Sequence, residues 1–251
     1  MRLLIYLALL PVVILLAYVY HLDKIEKEPA KLLLKTLLFG VISAIPALIL
    51  ELIMGVGIGI VTSILPYTIV YAFLEAFFSA ALMEELVKYT AVRLAIWKKP
   101  DFNYRFDAVV YCVFASLGFA GIENVLYVMD GGISTAIMRA LTSIPGHATF
   151  GVYMGIYLGA AKLCQVHGDT KGYRSNRLKA LLVPILIHGF YDFCLMSEND
   201  LLIYIWFAFV VIMDILVMIK LNKASKSDVP FVDYTSQNFT MPEAPVAEEN
   251  A

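Results

Sequence analysis

Charge is what this sequence has least of. Only 16% of its 251 residues are Asp, Glu, Lys or Arg, while 61% are hydrophobic. A soluble domain carries about 25% charged and 45–50% apolar residues. With a mean hydropathy of +0.78, the shortage excludes an ordinary soluble domain and leaves an integral membrane protein of several spans. The net charge is −2, and no basic stripe with interleaved aromatics occurs, so nucleic acid is excluded as a partner. Cysteine is scarce too. Cys112, Cys164 and Cys194 lie in or beside apolar runs without CxxC spacing, which argues against a disulfide framework or a thiolate metal site. They read as small hydrophobes. A small-x-small cleavage site is missing from the N-terminal run, which starts at Arg2 and ends in Tyr18-Val19-Tyr20. That run is therefore read as an uncleaved first span rather than a signal peptide.

Apolar stretches long enough to cross about 30 Å of hydrocarbon fall near 3–20, 32–54, 67–96, 107–129, 136–163, 180–197 and 201–221. They predict an all-α fold, a polytopic transmembrane bundle of seven spans in one domain over 1–223, with a motif core at 74–194. The glycine-rich piece Met54–Tyr67 is predicted to be a loop or re-entrant turn, because Pro66 disfavours helix at Leu65. The polar tail, 224–251, is rich in Pro, Glu, Ser and Asn and is expected to be disordered.

Loop charge sets the orientation. Lys24, Lys27, Lys31 and Lys35 fill the first connection, and Arg93, Lys98, Lys99 and Arg105 the third. Lys162, Lys171, Arg174, Arg177 and Lys179 fill the fifth, and Lys220, Lys223 and Lys226 the exit. The second connection is uncharged, the fourth holds Asp130 and Arg139, and the sixth Glu198 and Asp200. The alternation predicts an N-terminus outside the inner (cytoplasmic) membrane and a C-terminus in the cytoplasm.

Against this background the intramembrane polar residues form a short set. The third span carries Glu75, Glu84, Glu85 and Lys88, and the fourth Glu123 and Asn124. The fifth carries His147, and the sixth His188 and Asp192. A charge at bilayer depth costs about 2.5–3.5 kcal/mol on insertion scales, so such a group marks a functional site by default. Glu84 and Lys88 are four residues apart and share a face, as do His188 and Asp192. Glu85, turned by about 100° from Glu84, is expected to look toward a different neighbour. Taken singly, each pair has a structural reading: an intrahelical ion pair, a helix start, a hydrogen bond bracing one helix. Taken together, three glutamates, two histidines and an aspartate in one bundle call for chemistry.

Several chemistries are excluded by missing patterns. There is no HExxH and no GxSxG; Ser79 and Ser116 have no evident base. Aspartyl intramembrane proteolysis needs two aspartates at depth, and Asp192 is read as having no second. Glutamate with two histidines is the ligand inventory of a hydrolytic zinc site with a further Glu as base. Without metal, the same set suits a water held between a glutamate base and a histidine-lined oxyanion pocket. A proton-coupled transporter uses similar groups and broken helices, but no inverted repeat accompanies them here. A non-catalytic scaffold leaves the buried charges unexplained.

Glu84-Glu85-Leu86-Val87-Lys88 resembles the EExxK motif of the PrsW family of intramembrane proteases, and Phe119–Asn124 its FxxxEN motif. His147, and His188 in HxxxD with Asp192, match the family's two later histidine positions. The family is distantly similar to the CAAX prenyl endopeptidases and bacteriocin-processing proteins. The resemblance implies a multi-pass endopeptidase acting on a membrane-tethered protein such as an anti-sigma factor, in regulated proteolysis of the stress-response kind. It implies Glu84 as general base and Glu85 as its orienting partner or as a bond to the fourth span's backbone. Glu123, His147 and His188 are implied as Zn²⁺ ligands or carbonyl-polarising groups, with Asn124 of the same motif as a further catalytic residue. Asp192 would orient His188, and Lys88 would compensate the negative charge. A metal-free glutamate mechanism uses the same Glu84. The stripe Gly151, Gly155 and Gly159 is expected to let a neighbouring helix approach closely and to hold His147 rigidly against the glutamate helix.

Overall fold

A computed structural model describes residues 1–63 and 69–232. Helices account for nearly all of them: α1 (Arg2–Leu22), α2 (Ala30–Thr62), α3 (Ile69–Leu74), a π-helical segment (Glu75–Ala81), α4 (Leu82–Ile96), α5 (Asp107–Leu141), α6 (Ser143–Val166), α7 (Thr170–Met196) and α8 (Asp200–Lys226). Among the described residues there is no strand, only an isolated bridge between Tyr104 and Pro230. The expected all-α, polytopic architecture is present. Among the described residues, five stretches are long and apolar enough to cross a membrane; one of them, Asp107–Val166, is 60 residues long and contains two helices, α5 and α6. The expected third span runs without a break through α3, the π segment and α4, and is less apolar because it carries the charged motif.

The bundle is concentric. The spanning window of α5–α6 is 72% buried, against 17% for α1, 17% for α2 and 11% for α8. The outer helices present leucine and isoleucine outward, as at Leu38, Ile42, Ile45, Leu52 and Ile60 of α2. Exposed apolar rows of this kind suit hydrocarbon, not water.

Close backbone approach sets the centre. A Cβ on Gly151 would lie 3.0 Å from Cys112 O, one on Gly155 2.4 Å from Val109 Cα, and one on Gly159 2.4 Å from Arg105 O. The descending numbers on α5 make α5 and α6 antiparallel. The glycine stripe therefore seats α6 closely on α5, and α6 in turn carries His147 to Lys88 of the glutamate helix. Gly118 meets Leu37 O of α2 in the same way, at 2.2 Å from a built Cβ. Such small-residue faces substitute for a hydrophobic driving force that lipid does not supply.

Two expected boundaries move. Gly55, Gly57 and Gly59 are helical, inside the 33-residue α2, rather than in a loop. Each glycine costs a helix interior about 1 kcal/mol, but unpaired backbone in hydrocarbon costs several per group, so the helix continues. Residues 64–68, where Pro66 was expected to break it, lie outside the described residues. The polar tail begins later than 224: α8 runs to Lys226, and Phe231 is buried. Phe106 N donates to Asp228 Oδ1 at 2.8 Å, Arg105 N to Val229 O at 3.0 Å and Phe231 N to Asn103 O at 2.8 Å. Ser225 Oγ donates to Leu22 O, tying the end of α8 to the end of α1. The expected disorder of 233–251 lies outside the described residues. The three cysteines are unpaired, with Cys112 and Cys194 buried, as expected of small hydrophobes.

Candidate active site

The charged motif is built on one helix face and completed by three others. Lys88 Nζ donates to Glu84 Oε2 at 2.8 Å and to Glu85 Oε1 at 2.9 Å. Glu85 was expected to face elsewhere, but its i, i+3 relation to Lys88 lets the long side chain serve both carboxylates. Nor does Glu85 bond the α5 backbone: its Oε1 lies 3.1 Å from His188 Nδ1, and Oε2 has no partner. Both Glu85 and Lys88 are sealed from solvent, while Glu84 is the member that lines a cavity. Directly before the motif, the π-helical turn adds slack to the helix, a feature that recurs at functional sites. It leaves Glu75 lining the same cavity.

From α6, His147 brings its Nδ1 to 3.2 Å from Lys88 Nζ and its Nε2 to 2.9 Å from Glu123 Oε2. An ammonium only donates, so Nδ1 accepts and Nε2 carries the proton that Glu123 receives. From α7, His188 Nε2 lies 3.1 Å from Asp192 Oδ2, the i, i+4 pairing expected from spacing. Both nitrogens of His188 thus face carboxylates, an arrangement that a doubly protonated ring completes. Phe150 stacks on this ring at 4.5 Å. Phe119 lies under the Lys88 ammonium, 4.1 Å from it.

The cavity has a volume of about 880 Å³ and is bounded by α2, the α3–π–α4 helix, α5, α6 and α7. Glu84, Glu123, His147, His188 and Asp192 line it, whereas Glu85 does not, so side chains from four helices converge on one cavity. Asn124 does not. It is fully buried, with Nδ2 donating to Ala8 O of α1 at 2.8 Å and Oδ1 receiving Arg139 Nε at 2.7 Å. Its work is between helices. Ser79 and Ser116 spend their hydroxyls on the backbone oxygens of Glu51 and His147. Asp214 of α8 is a second aspartate at depth, but it is not among the cavity-lining residues.

The chain's donor set suits a cation. One ligand atom each from Glu84, Glu85 and His147 lie within 4.8 Å of one another. Ligand distances near 2 Å would draw them slightly closer. The Lys88 ammonium already stands at this point, which marks it as a place built for positive charge. The anticipated trio of Glu123, His147 and His188 is arranged otherwise, because Glu123 holds the far nitrogen of His147 and both nitrogens of His188 are engaged.

Two cavity residues were missed by the sequence reading. Glu51 of α2 and Arg139 of α5 both line the cavity. Glu51 could have been found as a lone carboxylate inside an apolar run; Arg139 read as a loop charge.

The sequence profile of PrsW family intramembrane metalloproteases matches residues 28–219. The chain belongs to this family. Proteins named Protease PrsW are similar along most of their length. The one from Geobacillus kaustophilus is 37% identical over 189 residues, 75% of this chain and 78% of its own. That from Clostridioides difficile is 32% identical over 220 residues, 86% and 87% of the two chains. That from Bacillus subtilis is 30% identical over 194, or 77% and 83%. No solved structure matches the chain. PrsW membership makes the chain an intramembrane protease, a multi-pass membrane hydrolase.

Proposed function

We propose that this intramembrane protease cleaves a single-pass membrane-tethered protein, such as an anti-sigma factor, with Glu84 as the base that activates water. One observation carries the reading: of the three residues in the buried Glu84–Glu85–Lys88 cluster, only Glu84 lines the cavity. Lys88 holds its Oε2 and leaves Oε1 to accept a proton from a water in the cavity. The water's oxygen then attacks the scissile carbonyl, the carbonyl oxygen takes the negative charge, and Glu84 returns the proton to the leaving amine. His188, doubly protonated between Glu85 and Asp192, would stabilise that oxygen through its charge rather than through a free N–H. Asp192 orients His188, and Glu123 orients His147.

Glu84, Glu85 and His147 would hold a divalent ion in place of the Lys88 ammonium, a metal by the family's description and zinc by this donor set. Bound there, it would polarise the attacked water and offset the carboxylates' charge. A Glu84→Gln variant in vesicles with a tethered reporter should lose about 10²–10⁴-fold in cleavage while inserting normally. Undiminished cleavage would sink the assignment. Reversible inactivation by a chelator, with Zn²⁺ restoring activity, supports the metal; full activity in protein free of metal by elemental analysis leaves a glutamate peptidase.

The same reading places the chain in the inner membrane with its N-terminus outside, supported by the alternation of basic loops. Reporter fusions after Lys99 and after Gly172 should both signal cytoplasm, and an external signal at either would reverse it.

A further inference from the structure

We propose that Arg139, outside every motif, is a positioning residue that sets the ring orientation and proton placement of His147 through Glu123. The inference rests on the hydrolase reading above.

The sequence around Arg139 suggests a loop, since Gly131-Gly132 ends the apolar run of α5. The structure bends there instead. Gly132 has φ 75° and ψ −156°, a conformation open in practice to glycine alone. The helical residues after the bend carry Arg139 back beside Glu123, and its side chain is 14% exposed.

Three contacts fix the guanidinium. Nε donates to Asn124 Oδ1 at 2.7 Å, Nη2 pairs with Glu123 Oε2 at 3.0 Å, and the group lies 4.2 Å from the Tyr127 ring centre. Asn124 cannot swing away, because its amide is spent on Ala8 O. The guanidinium therefore bonds Asn124 through Nε and stands at ion-pair distance from Glu123 through Nη2, which makes no hydrogen bond, a spread over two residues that a point-charge ammonium does not copy.

The consequence falls on His147. Glu123 Oε2, the oxygen paired with Arg139, is the one that receives His147 Nε2–H at 2.9 Å. That bond keeps the proton on Nε2 and the Nδ1 lone pair aimed at the Glu84–Glu85–Lys88 centre. Without Arg139, Glu123 is a charged group at depth held by its bond to His147, free to rotate into the cavity.

The test has two readouts. Arg139→Met should lower kcat 10–100-fold, the usual cost of losing an orienting partner, with KM within about threefold of wild type. Methylguanidinium should recover part of the loss in Arg139→Ala, and ammonium should not. In ¹⁵N-histidine spectra of the full chain in lipid, wild type should show His147 protonated at Nε2 alone, and Arg139→Met a mixture of tautomers. Gly132→Ala, which strains the bend and leaves every contacting side chain in place, should reproduce both changes. An unchanged His147 spectrum in Arg139→Met overturns the proposal whatever the activity. A changed spectrum with undiminished cleavage leaves Arg139 as the positioning residue and overturns the hydrolytic role of His147.

Discussion

Replacing Lys88 by methionine removes the ammonium that Glu84 and Glu85 share, at 2.8 and 2.9 Å. The two carboxylates do not suffer equally. Glu84's side chain is 9% exposed to the cavity, whereas Glu85's is 0% exposed and already has an oxygen without a partner. Breaking a buried ion pair by deleting one partner costs about 3–5 kcal/mol. At about 2–4 °C per kcal/mol for a chain of this size, the melting temperature should fall by roughly 6–20 °C. The protein supplies its own reporters: Cys112 and Cys194 are 1% and 0% exposed, so a thiol-reactive dye in detergent reads unfolding directly. Adding Glu85→Gln to Lys88→Met should recover at least half of the drop, because the carboxylate with no access to water is then neutral. Glu84→Gln in its place should recover less. A Lys88→Met melting temperature within about 2 °C of wild type, or equal recovery by the two glutamines, would refute the assignment of Glu85 as the carboxylate that depends on Lys88.

Two other outcomes follow from packing and charge. Gly155→Ala should destabilise by about 1–3 kcal/mol, since the new methyl would stand 2.4 Å from Val109 Cα, whereas Gly57→Ala meets nothing within 4 Å and should be neutral or stabilising by up to about 1 kcal/mol; equal effects in the dye assay would contradict the described α5–α6 contact. Glu28, in the α1–α2 connection, is pushed up from 4.5 to about 9 by burial, aided by the charge of Asp107. The folded chain then binds a proton that the unfolded chain releases, so stability falls as pH rises from about 4.5 to about 9, by at most about 1.4 kcal/mol per pH unit. Glu28→Gln should flatten that slope in melting scans, and an unaltered slope would show that Glu28 is ionised in the folded protein.

The features legible in the sequence are those set by short spacing. Glu84 with Lys88 and His188 with Asp192 meet because four residues make about one helical turn, and the apolar runs locate the helices because lipid demands their length. What depends on one helix relative to another was not legible. Arg139 reaches Glu123 only through the bend at Gly132, and a glycine pair after an apolar run reads the same whether the chain leaves the membrane or folds back. Glu85 was assigned by angle alone, though lysine's four-carbon stem spans that angle. The glycines at 55–59 were read by their propensity in water, while hydrocarbon reverses the balance. Asn124 belongs to a motif and was credited with chemistry, but its partners on α1 and beyond the bend give it a structural task.

The hydrogen bond from Ser225 to Leu22 joins residues 203 positions apart. In terms of synthesis, the first helix must wait for the last. Translation at about 5–20 residues per second separates Asp192, the last motif residue, from Ser225 by roughly 2–7 seconds. During that interval every motif residue is already made, while the α8 side of the bundle, with Trp206 against Tyr191 of the cavity wall, is still open. A nascent chain therefore holds a complete set of hydrolytic side chains before it holds a closed chamber, and the final helix sets the moment at which the cavity takes its finished shape.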